Sequence, residues 1–284
     1  MKLSGAQILT QSLKAEGIKH IFGVSGSDVL YLLDTIYQEP QLRYIQSQHE
    51  QGAMYMANGY ARATRSPGIC LVSPGPGITN CLSGMGQAFY SSTPSILIAT
   101  EENTRFHGRG SSMHHDLEAV PMLRPVTKLA LRVERVERIA EGVQSVFRAA
   151  LSGRKGPVYL GIAKDTLEEQ TEAEVLMPER YRVETVQPMD PAVISQVSGL
   201  LASAQRPVAL AGGGLAWSQA QEAFVELSER LAMPMATTRD NKGLVPDDHP
   251  LALGTIGTTC VPASLKMMQA ADVILAVGCT FDEF

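Results

Sequence analysis

The chain has 284 residues, which corresponds to about two domains of ordinary size. Its 24 basic and 29 acidic residues give a formal net charge of −5, and 44% of the residues are hydrophobic, as in a folded globular protein. Because no cluster of Lys and Arg offsets this acidic balance, a nucleic acid is not expected as a partner.

The cysteines and the apolar segments predict the compartment. Four cysteines lie far apart in the chain, at positions 70, 81, 260 and 279, and they form no C-x-x-C pair. No segment has the roughly 18 consecutive apolar residues of a membrane span, and the first residues lack the apolar run of a signal peptide. We therefore expect a cytoplasmic protein with reduced thiols and no membrane partner.

Strand-like and helix-like segments alternate through the first 165 residues. Ser4 is predicted to cap a helix that runs to about Glu16, and further helices are predicted to begin near Ser27-Asp28 and Glu50. This alternation predicts an α/β domain over residues 1–165, with a mainly parallel sheet covered by helices. The predicted strands are HIFGV (20–24), RYIQS (43–47), GICLVS (68–73), SILIAT (95–100) and PVYLGI (157–162).

The composition changes after residue 165. Residues 166–189 are acidic, polar and interrupted by proline, which predicts a linker. A second alternation follows over residues 190–284, with predicted strands PVALAG (207–212), MPMATT (233–238) and DVILAVG (272–278). A parallel strand is normally followed by a covering helix, so this second, Rossmann-like domain is expected to be truncated. The expected fold class is α/β, with two doubly wound domains.

Glu50 is the first candidate functional residue. It lies in the segment QHEQGA (48–53), where a predicted strand gives way to a helix. In open parallel sheets ligands bind at the carboxyl ends of strands, which favours a functional role for this carboxylate. The alternative is that Glu50 only complements the dipole of the helix that it begins.

Two glycine-containing loops occupy equivalent positions after predicted strands. The segment SPGPGITN (73–80) allows a ligand to approach its backbone closely, and it matches neither a dinucleotide fingerprint nor a Walker loop. The segment FGVSGS (22–27) is the second loop. Because the carboxyl ends of parallel strands meet at one edge of a sheet, these loops predict a pocket there. A tight turn that requires glycine is the simpler alternative for each loop.

Two further segments carry weaker patterns. His114 and His115 form an adjacent pair in a polar loop, where a catalytic role and plain solvent exposure are the two explanations. No third ligand accompanies them at a suitable spacing, so we predict no metal site. In the second domain, Gly212, Gly213 and Gly214 follow a strand and precede a helix, and they are predicted either to hold a phosphate or simply to form a tight turn.

The order of these segments resembles that of a known family. FGVSGSDV, QHEQGAMYMANGYARAT, SPGPGITN, AFYSSTPSILIAT and RKGPVYLGIAKD follow one another as in the pyrimidine-binding domain of thiamine diphosphate-dependent 2-oxo acid enzymes. The closest likeness is to the large subunit of acetolactate synthase. The segment from RPVALAGGG to ADVILAVGCTFDEF resembles the opening of that family's central domain. The resemblance implies that residues 1–165 bind the pyrimidine and that residues 190–284 are part of a central domain.

The resemblance also implies roles for individual residues. Glu50 would hydrogen-bond the aminopyrimidine ring of thiamine diphosphate, and both Glu50 and His115 would be catalytic. The cofactor-binding positions implied in this way are Ser25, Gly26, Ser73, Pro76, Asn80, Gly212, Gly213 and Gly214.

The resemblance further implies cofactors and partners. Mg²⁺ would accompany thiamine diphosphate, but its ligands are expected outside this chain, because the family's Gly-Asp-Gly and Asn-Asn motifs do not occur in the sequence. FAD is allowed by the glycine triplet, although Thr258-Thr259-Cys260 replaces the family's usual Met-His-Gly. The active form would be a homodimer or homotetramer acting on a small 2-oxo acid, and the chain by itself would be inactive.

The expected function is therefore decarboxylation and carboligation of 2-oxo acids, as in acetolactate synthase. Ser25 and Ser27 depart from the family's usual F-G-x-P-G-G, and HHD (114–116) stands where Phe-Gln-Glu is common, so a simple 2-oxo acid decarboxylase stays open. A half-site or non-catalytic subunit that needs a separate diphosphate-binding chain is a second alternative. A nucleotide-dependent oxidoreductase built on the Gly212 loop is a third.

Overall fold

The computed structural model describes residues 2–109, 115–182, 188–258 and 260–281. The chain divides into two compact units, Met1–Glu184 and Thr185–Phe284, and each unit has its own parallel sheet. The expected fold class, α/β with mainly parallel sheets, is confirmed. His114 and Thr259, which the sequence analysis singled out, lie outside the described residues.

The first unit is built on a six-stranded sheet in which every neighbouring pair is parallel. A short strand, β1 (Lys2–Ser4), lies outside this sheet. The strands of the sheet are β2 (His20–Gly23), β3 (Arg43–Gln46), β4 (Gly68–Val72), β5 (Ser95–Glu101), β6 (Leu129–Val133) and β7 (Val158–Ala163). Their order is β3-β2-β4-β5-β7-β6, so the direction of progress across the sheet reverses between β2 and β4. Open α/β sheets bind ligands at such a switch point.

Helices cover both faces of this sheet. In β4, Ile69 and Leu71 belong to the core on one face of the sheet, which the first, second and seventh helices of the unit cover. Cys70 and Val72 belong to the core on the other face, which the third, fifth and sixth helices cover. Alternate residues of one strand therefore serve two cores, and all five residues of β4 are buried. The helices are α1 (Gly5–Ala15), α2 (Leu30–Tyr37), α3 (Glu50–Thr64), α4 (Pro76–Asn80), α5 (Leu82–Tyr90), α6 (Ala119–Leu123), α7 (Ile139–Leu151) and α8 (Lys164–Glu168).

Side-chain caps fix where two of these helices begin. Oγ of Ser4 accepts a hydrogen bond from the backbone nitrogen of Gln7 at 3.2 Å, and the Gln7 side chain accepts one from the backbone nitrogen of Ser4 at 2.9 Å. This capping box confirms the predicted start of α1. At the start of α3, Nδ1 of His49 accepts from the backbone nitrogen of Gln51 at 3.2 Å. The cap fixes Glu50 as the first residue of α3.

The structure differs from the predicted linker over residues 166–182. The helix α8 and a short strand, β8 (Gln170–Glu172), belong to the first unit, where β8 pairs antiparallel with β1. Further on, Tyr181 and Arg182 both contact Glu16 at the end of α1. The polar composition of this segment predicted a linker. Composition carries no information on pairing between residues far apart in the chain, so it could not predict these contacts. Residues 183–187 lie outside the described residues.

The carboxyl group of Glu16 makes the stability of the first unit depend on pH. Burial raises the pKa of Glu16 to about 7, although the Arg182 guanidinium, 2.8 Å away, lowers this pKa in part and Glu179 raises it. The folded pKa lies above the ordinary value of 4.5, so the native state binds more protons than the unfolded state between these two values. The stability contribution is therefore fully present at low pH and is lost as the pH rises through about 7.

We expect the Glu16→Gln variant to lose this pH dependence, because a neutral amide takes the place of the titrating group. The melting temperature of the wild-type protein should fall by several degrees between about pH 5 and about pH 8, and that of the variant should fall less. Differential scanning calorimetry measures both. A Glu39→Gln variant, which changes an acid paired with Lys14 near the surface, is the matched control. Superimposable pH profiles of the wild type and the Glu16 variant would contradict the expectation.

The second unit contains a four-stranded parallel sheet with the strands β9 (Pro207–Ala211), β10 (Met235–Thr238), β11 (Ala252–Ile256) and β12 (Val273–Val277). Their order is β11-β10-β9-β12. The sequence did not predict β11, since Gly254, with φ of +75°, interrupts its strand pattern. The helices are α9 (Pro191–Ser203), α10 (Gly213–Trp217), α11 (Gln221–Arg230) and α12 (Pro262–Ala270). In the described parts of both units, no helix has the length and apolar character needed to cross a membrane.

Candidate functional site

Loops from neighbouring strands meet at the carboxyl edge of the six-stranded sheet, around the switch point between β2 and β4. The loop after β2 touches the loop after β4, because a Cβ atom at Gly26 would stand 2.5 Å from Oγ of Ser73. The loop after β4 touches the loop after β5, because a Cβ atom at Gly75 would stand 3.0 Å from Cα of His115. Gly75 also has a φ of +62°, which favours glycine. These loops form one continuous surface at the edge of the sheet.

Glu50 lies at this edge, partly buried, as the first residue of α3. Nδ2 of Asn80 donates a hydrogen bond to Oε2 of Glu50 at 2.9 Å. The other carboxylate oxygen, Oε1, lies beside Gly77, where a Cβ atom would stand 3.8 Å from it. Sγ of Cys81 donates to the backbone carbonyl of Glu50 at 3.6 Å. Residues 80 and 81 therefore hold the start of α3, while Oε1 faces a position that has no side chain.

Asp28 and Lys164 bring charge to the same edge, and the sequence analysis assigned a site role to neither. Nζ of Lys164 donates to Oδ1 of Asp28 at 3.1 Å, and Nδ1 of His115 lies 3.8 Å from Oδ2. Asp28 follows β2 and Lys164 follows β7, so the rule that placed Glu50 at a strand end could have indicated both. His115 has a φ of +80°, a conformation that residues other than glycine rarely adopt.

The remaining predicted residues of the first unit lie in the same loops. Ser25 is exposed, and its backbone nitrogen donates to Oε1 of Gln46 at 3.1 Å. Pro76 is exposed as the first residue of α4, where its fixed φ suits a helix start. The assigned cofactor and catalytic roles stay predictions. The structure places Ser25, Gly26, Glu50, Ser73, Pro76, Asn80 and His115 in loops and helix ends at the carboxyl side of this sheet.

The glycine triplet of the second unit packs against its own neighbouring turn. The backbone nitrogens of Gly212 and Gly214 donate to carbonyls at the end of β12 and in the turn after it, at 2.9 Å each. A Cβ atom at Gly214 would stand 2.7 Å from Cα of Gly278, so this position requires glycine for packing alone. A Cβ atom at Gly213 would stand 3.4 Å from Oδ1 of Asn241. The amides of Gly212 and Gly214 are therefore already occupied by backbone carbonyls, and the cofactor role of the triplet stays a prediction.

Potential metal ligands do not cluster in the described ranges: no group of three or more His, Cys, Asp or Glu residues there could hold a metal ion. All four cysteines are free thiols, and Cys70 and Cys81 are buried below the edge site.

Comparison with known proteins decides the family. Residues 3–120 match the family model described as thiamine pyrophosphate enzyme, N-terminal TPP binding domain. Residues 194–284 match the model described as thiamine pyrophosphate enzyme, central domain. The chain belongs to the thiamine pyrophosphate enzyme family. The first matched segment contains Glu50, Gly77 and Asn80 of the edge site.

Acetolactate synthases are among the similar proteins. The chain is 34% identical over 288 residues to the probable acetolactate synthase large subunit of Methanocaldococcus jannaschii, an alignment that covers 99% of this chain and 48% of that protein. Identity is 31% over 285 residues to the acetolactate synthase large subunit of Haemophilus influenzae, with 99% and 49% covered. It is 32% over 284 residues to acetolactate synthase isozyme 3 large subunit of Escherichia coli, again with 99% and 49% covered. The chain thus spans about half the length of these relatives.

Proposed function

We propose that the first unit binds the aminopyrimidine end of thiamine diphosphate, and that the enzyme containing this chain decarboxylates and joins 2-oxo acids in the manner of an acetolactate synthase. One observation carries the proposal. Oε2 of Glu50 is held by Asn80, while Oε1 stands beside Gly77 at the switch point of a parallel sheet. The match of residues 3–120 to the family's N-terminal domain, and the names of the relatives, support this proposed cofactor and activity.

In the proposed complex, the residues around Glu50 have distinct tasks. The amide of Asn80 holds the carboxylate in one orientation before a ligand binds. Binding therefore carries little further loss of side-chain conformational entropy at Glu50. In the proposed complex a flat ring approaches Oε1 on the side of Gly77, where no side chain lies between them, and the carboxylate shares a proton with a ring nitrogen. When bound, thiamine diphosphate supplies the electron sink that decarboxylation of a 2-oxo acid requires.

The other predicted residues surround this contact. Gly26 and Ser73 bring two loops into contact at the switch point, and Ser25 and Pro76 lie exposed beside them. In the proposed complex Ser73 and Pro76 flank the pyrimidine with Asn80, and Ser25 and Gly26 face the substrate. FAD stays the further cofactor that the resemblance allows, although the amides of Gly212 and Gly214 are bonded to backbone carbonyls.

We place the diphosphate and Mg²⁺ on residues that this sequence does not contain, as the resemblance implies. Apolar side chains on α3 and α5 support a homodimer or homotetramer as the active form. Tyr55 and Met56 on α3 are 44% and 36% exposed, and Phe89 on α5 is 42% exposed. Both helices belong to the unit that carries Glu50.

In the alternative of a half-site subunit, the same surface would pair with a different, diphosphate-binding chain. Cytoplasmic location stays a prediction.

A simple 2-oxo acid decarboxylase is the second candidate, and the pair formed by His115 and Asp28 favours it. Nδ1 of His115 lies 3.8 Å from Oδ2 of Asp28, and Lys164 holds the other oxygen of Asp28. A histidine next to a carboxylate can donate a proton to a reacting carbon, which is the step that ends a decarboxylation without joining a second carbonyl compound.

Gly77→Ala tests the proposed pyrimidine contact. A Cβ atom at residue 77 would stand 3.4 Å from Cβ of Val72 and 3.8 Å from Oε1 of Glu50, so the protein is expected to fold while the approach to Oε1 is obstructed. We expect the affinity of the complete enzyme for thiamine diphosphate to fall by about tenfold, because a single methyl group in a close contact is worth about 1–2 kcal/mol. Isothermal titration calorimetry with thiamine diphosphate measures the affinity.

Gly199→Ala is the control for this substitution. Gly199 lies on α9 of the second unit, and a Cβ atom there has no heavy atom within 4 Å. The control variant should bind thiamine diphosphate as the wild type does. Wild-type affinity in the Gly77 variant, or no binding of thiamine diphosphate by the wild-type enzyme, would contradict the proposal.

A further inference from the structure

A buried charged cluster lies at the carboxyl ends of β5 and β6, outside the site described above, and the Tyr159 hydroxyl reaches it from the beginning of β7. The carboxylate of Glu101, the last residue of β5, is 4% exposed and accepts hydrogen bonds from the Tyr159 hydroxyl at 2.5 Å and from Nη1 of Arg132. The Arg132 side chain is 9% exposed. Burial, with the Glu101 carboxylate beside it, raises the pKa of Tyr159 well above its usual value. The hydroxyl therefore keeps its proton and donates to Glu101.

The sheet makes room for this cluster. A Cβ atom at Gly161 on β7 would collide with Oε1 of Glu101 and would stand 2.8 Å from the Tyr159 hydroxyl. Gly161 lies next to Ala99 in the ladder, two residues before Glu101. A glycine inside a fully buried strand weakens the strand, so its presence here points to the space that the Glu101 side chain occupies.

Arg132 also holds the chain that follows β5. Its Nη2 donates to the backbone carbonyl of Glu102 at 2.8 Å, and its Nη1 donates to Nδ1 of His107 at 2.9 Å. A guanidinium has several donors in one rigid plane, so one side chain can bind a carboxylate, a carbonyl and an imidazole at once. Nε of Arg132 donates to the exposed Glu134 at 2.9 Å. Arg132 thus ties β5 and β6 to the beginning of the loop.

The contacts continue from His107 to the far end of the same loop. Oδ1 of Asp116 accepts a hydrogen bond from the backbone nitrogen of Gly108 at 3.3 Å. Nδ1 of His107, which accepts from Arg132, lies 3.2 Å from the same oxygen in a contact without a shared proton. Asp116 directly follows His115, the residue with a φ of +80°. A strained backbone of this kind persists only where the surrounding structure holds it. Gly75 and Asp28 lie against His115 itself, and the contacts of Asp116 with His107 and Gly108 hold the residue that follows it.

We propose that Arg132 is a positioning residue for His115, acting through His107 and Asp116. Arg132 makes no described contact with His115, so it acts by fixing both ends of the loop that brings the imidazole to Asp28 at the edge site. The consequence for turnover rests on the proposed function in its second form, the simple decarboxylase, in which His115 donates a proton. The positioning itself does not depend on that function, since it concerns contacts within the first unit. The neutral Tyr159 and the buried Glu101 serve to orient the guanidinium.

The imidazole signals of the protein report this positioning without any cofactor. The sequence has six histidines, so a ¹³C-labelled histidine spectrum of the full chain is simple enough to assign by substitution. In Arg132→Lys, an ammonium keeps the charge but cannot bind Glu101, Glu102 and His107 together. We expect the signals of both His107 and His115 to move, and exchange of the Gly108 amide hydrogen to become at least about tenfold faster.

Two further variants separate positioning from general destabilisation. The double variant E101Q/R132M removes the guanidinium without leaving a buried charge, and it should move the His115 signal in the same direction. Glu134→Gln changes only the exposed partner of Arg132, and it should leave the His115 signal in place. An unmoved His115 signal in both Arg132 variants, with a shifted His107 signal, would overturn the proposal.

Turnover by the complete enzyme gives a second readout. If Arg132 acts through His115, R132K should lower kcat in the wild-type background and should have no further effect in a His115→Gln background. Additive effects would contradict the coupling. A failure of the enzyme to bind thiamine diphosphate would remove the proposed function and leave the imidazole result standing, so the two failures are distinguishable.

Discussion

The Glu50→Gln variant is expected to lower the turnover of 2-oxo acids by the complete enzyme by about 10²–10⁴-fold, the range that removal of a general acid–base group produces. A glutamine keeps an oxygen for the amide of Asn80, so the local fold and the start of α3 should persist. It cannot share a proton with a ring nitrogen as a carboxyl group does. Steady-state kinetics with a 2-oxo acid, at saturating thiamine diphosphate and Mg²⁺, measures the loss.

Glu39→Gln is the control for this substitution. Glu39 belongs to the same unit, and its carboxylate pairs with Nζ of Lys14 at 2.9 Å. It lies just before β3 in the chain and therefore at the amino end of the sheet, opposite the edge that carries Glu50. Its variant should retain wild-type turnover. A Glu50 variant with near-normal turnover would show that the carboxylate does not move a proton in the reaction.

The Arg132→Met variant is expected to destabilise the first unit by about 3–5 kcal/mol, because the Glu101 carboxylate would stay buried after losing its cation. The two side chains are 9% and 4% exposed, so water does not replace the lost partner. Urea unfolding followed by circular dichroism measures the change in the free energy of unfolding.

The double variant E101Q/R132M distinguishes a buried charge from lost packing. A glutamine at position 101 still accepts from the Tyr159 hydroxyl and carries no charge, so more than half of the lost stability should return. Arg138→Met, which removes an exposed pair with Glu141, should leave the unfolding midpoint unchanged. Equal destabilisation by R132M and by the double variant would show that packing, and not the unpaired carboxylate, accounts for the effect.

Local patterns predicted the elements that depend on local physics. The helix cap at Ser4 and the strand around Cys70 could be predicted from the sequence. A capping residue and the apolar run of a strand buried on both faces are each recognisable within a few residues. The strand ends then located Glu50 and its neighbouring loops, since all carboxyl ends of a parallel sheet lie on one edge. The edge strand β6, whose first four residues are only partly buried, has its apolar run interrupted by Arg132 and was not predicted.

Contacts between distant residues could not be predicted in this way. Lys164 and Asp28 are 136 positions apart, and Tyr159 and Glu101 are 58 apart. An acid at the end of SILIATE and a glycine in VYLGIA each have ordinary local explanations, and only the sheet order brings them together. The pairing of β1 with β8 is of the same kind, and it places part of the predicted linker in the first unit.

The structure of the complete enzyme with thiamine diphosphate, determined by crystallography, tests the central claim most directly. The account predicts that Oε1 of Glu50 lies within hydrogen-bonding distance, about 2.6–3.0 Å, of a pyrimidine ring nitrogen, while Asn80 still donates to Oε2. A pyrimidine bound at another place, with no contact to Glu50 or Gly77, would contradict it.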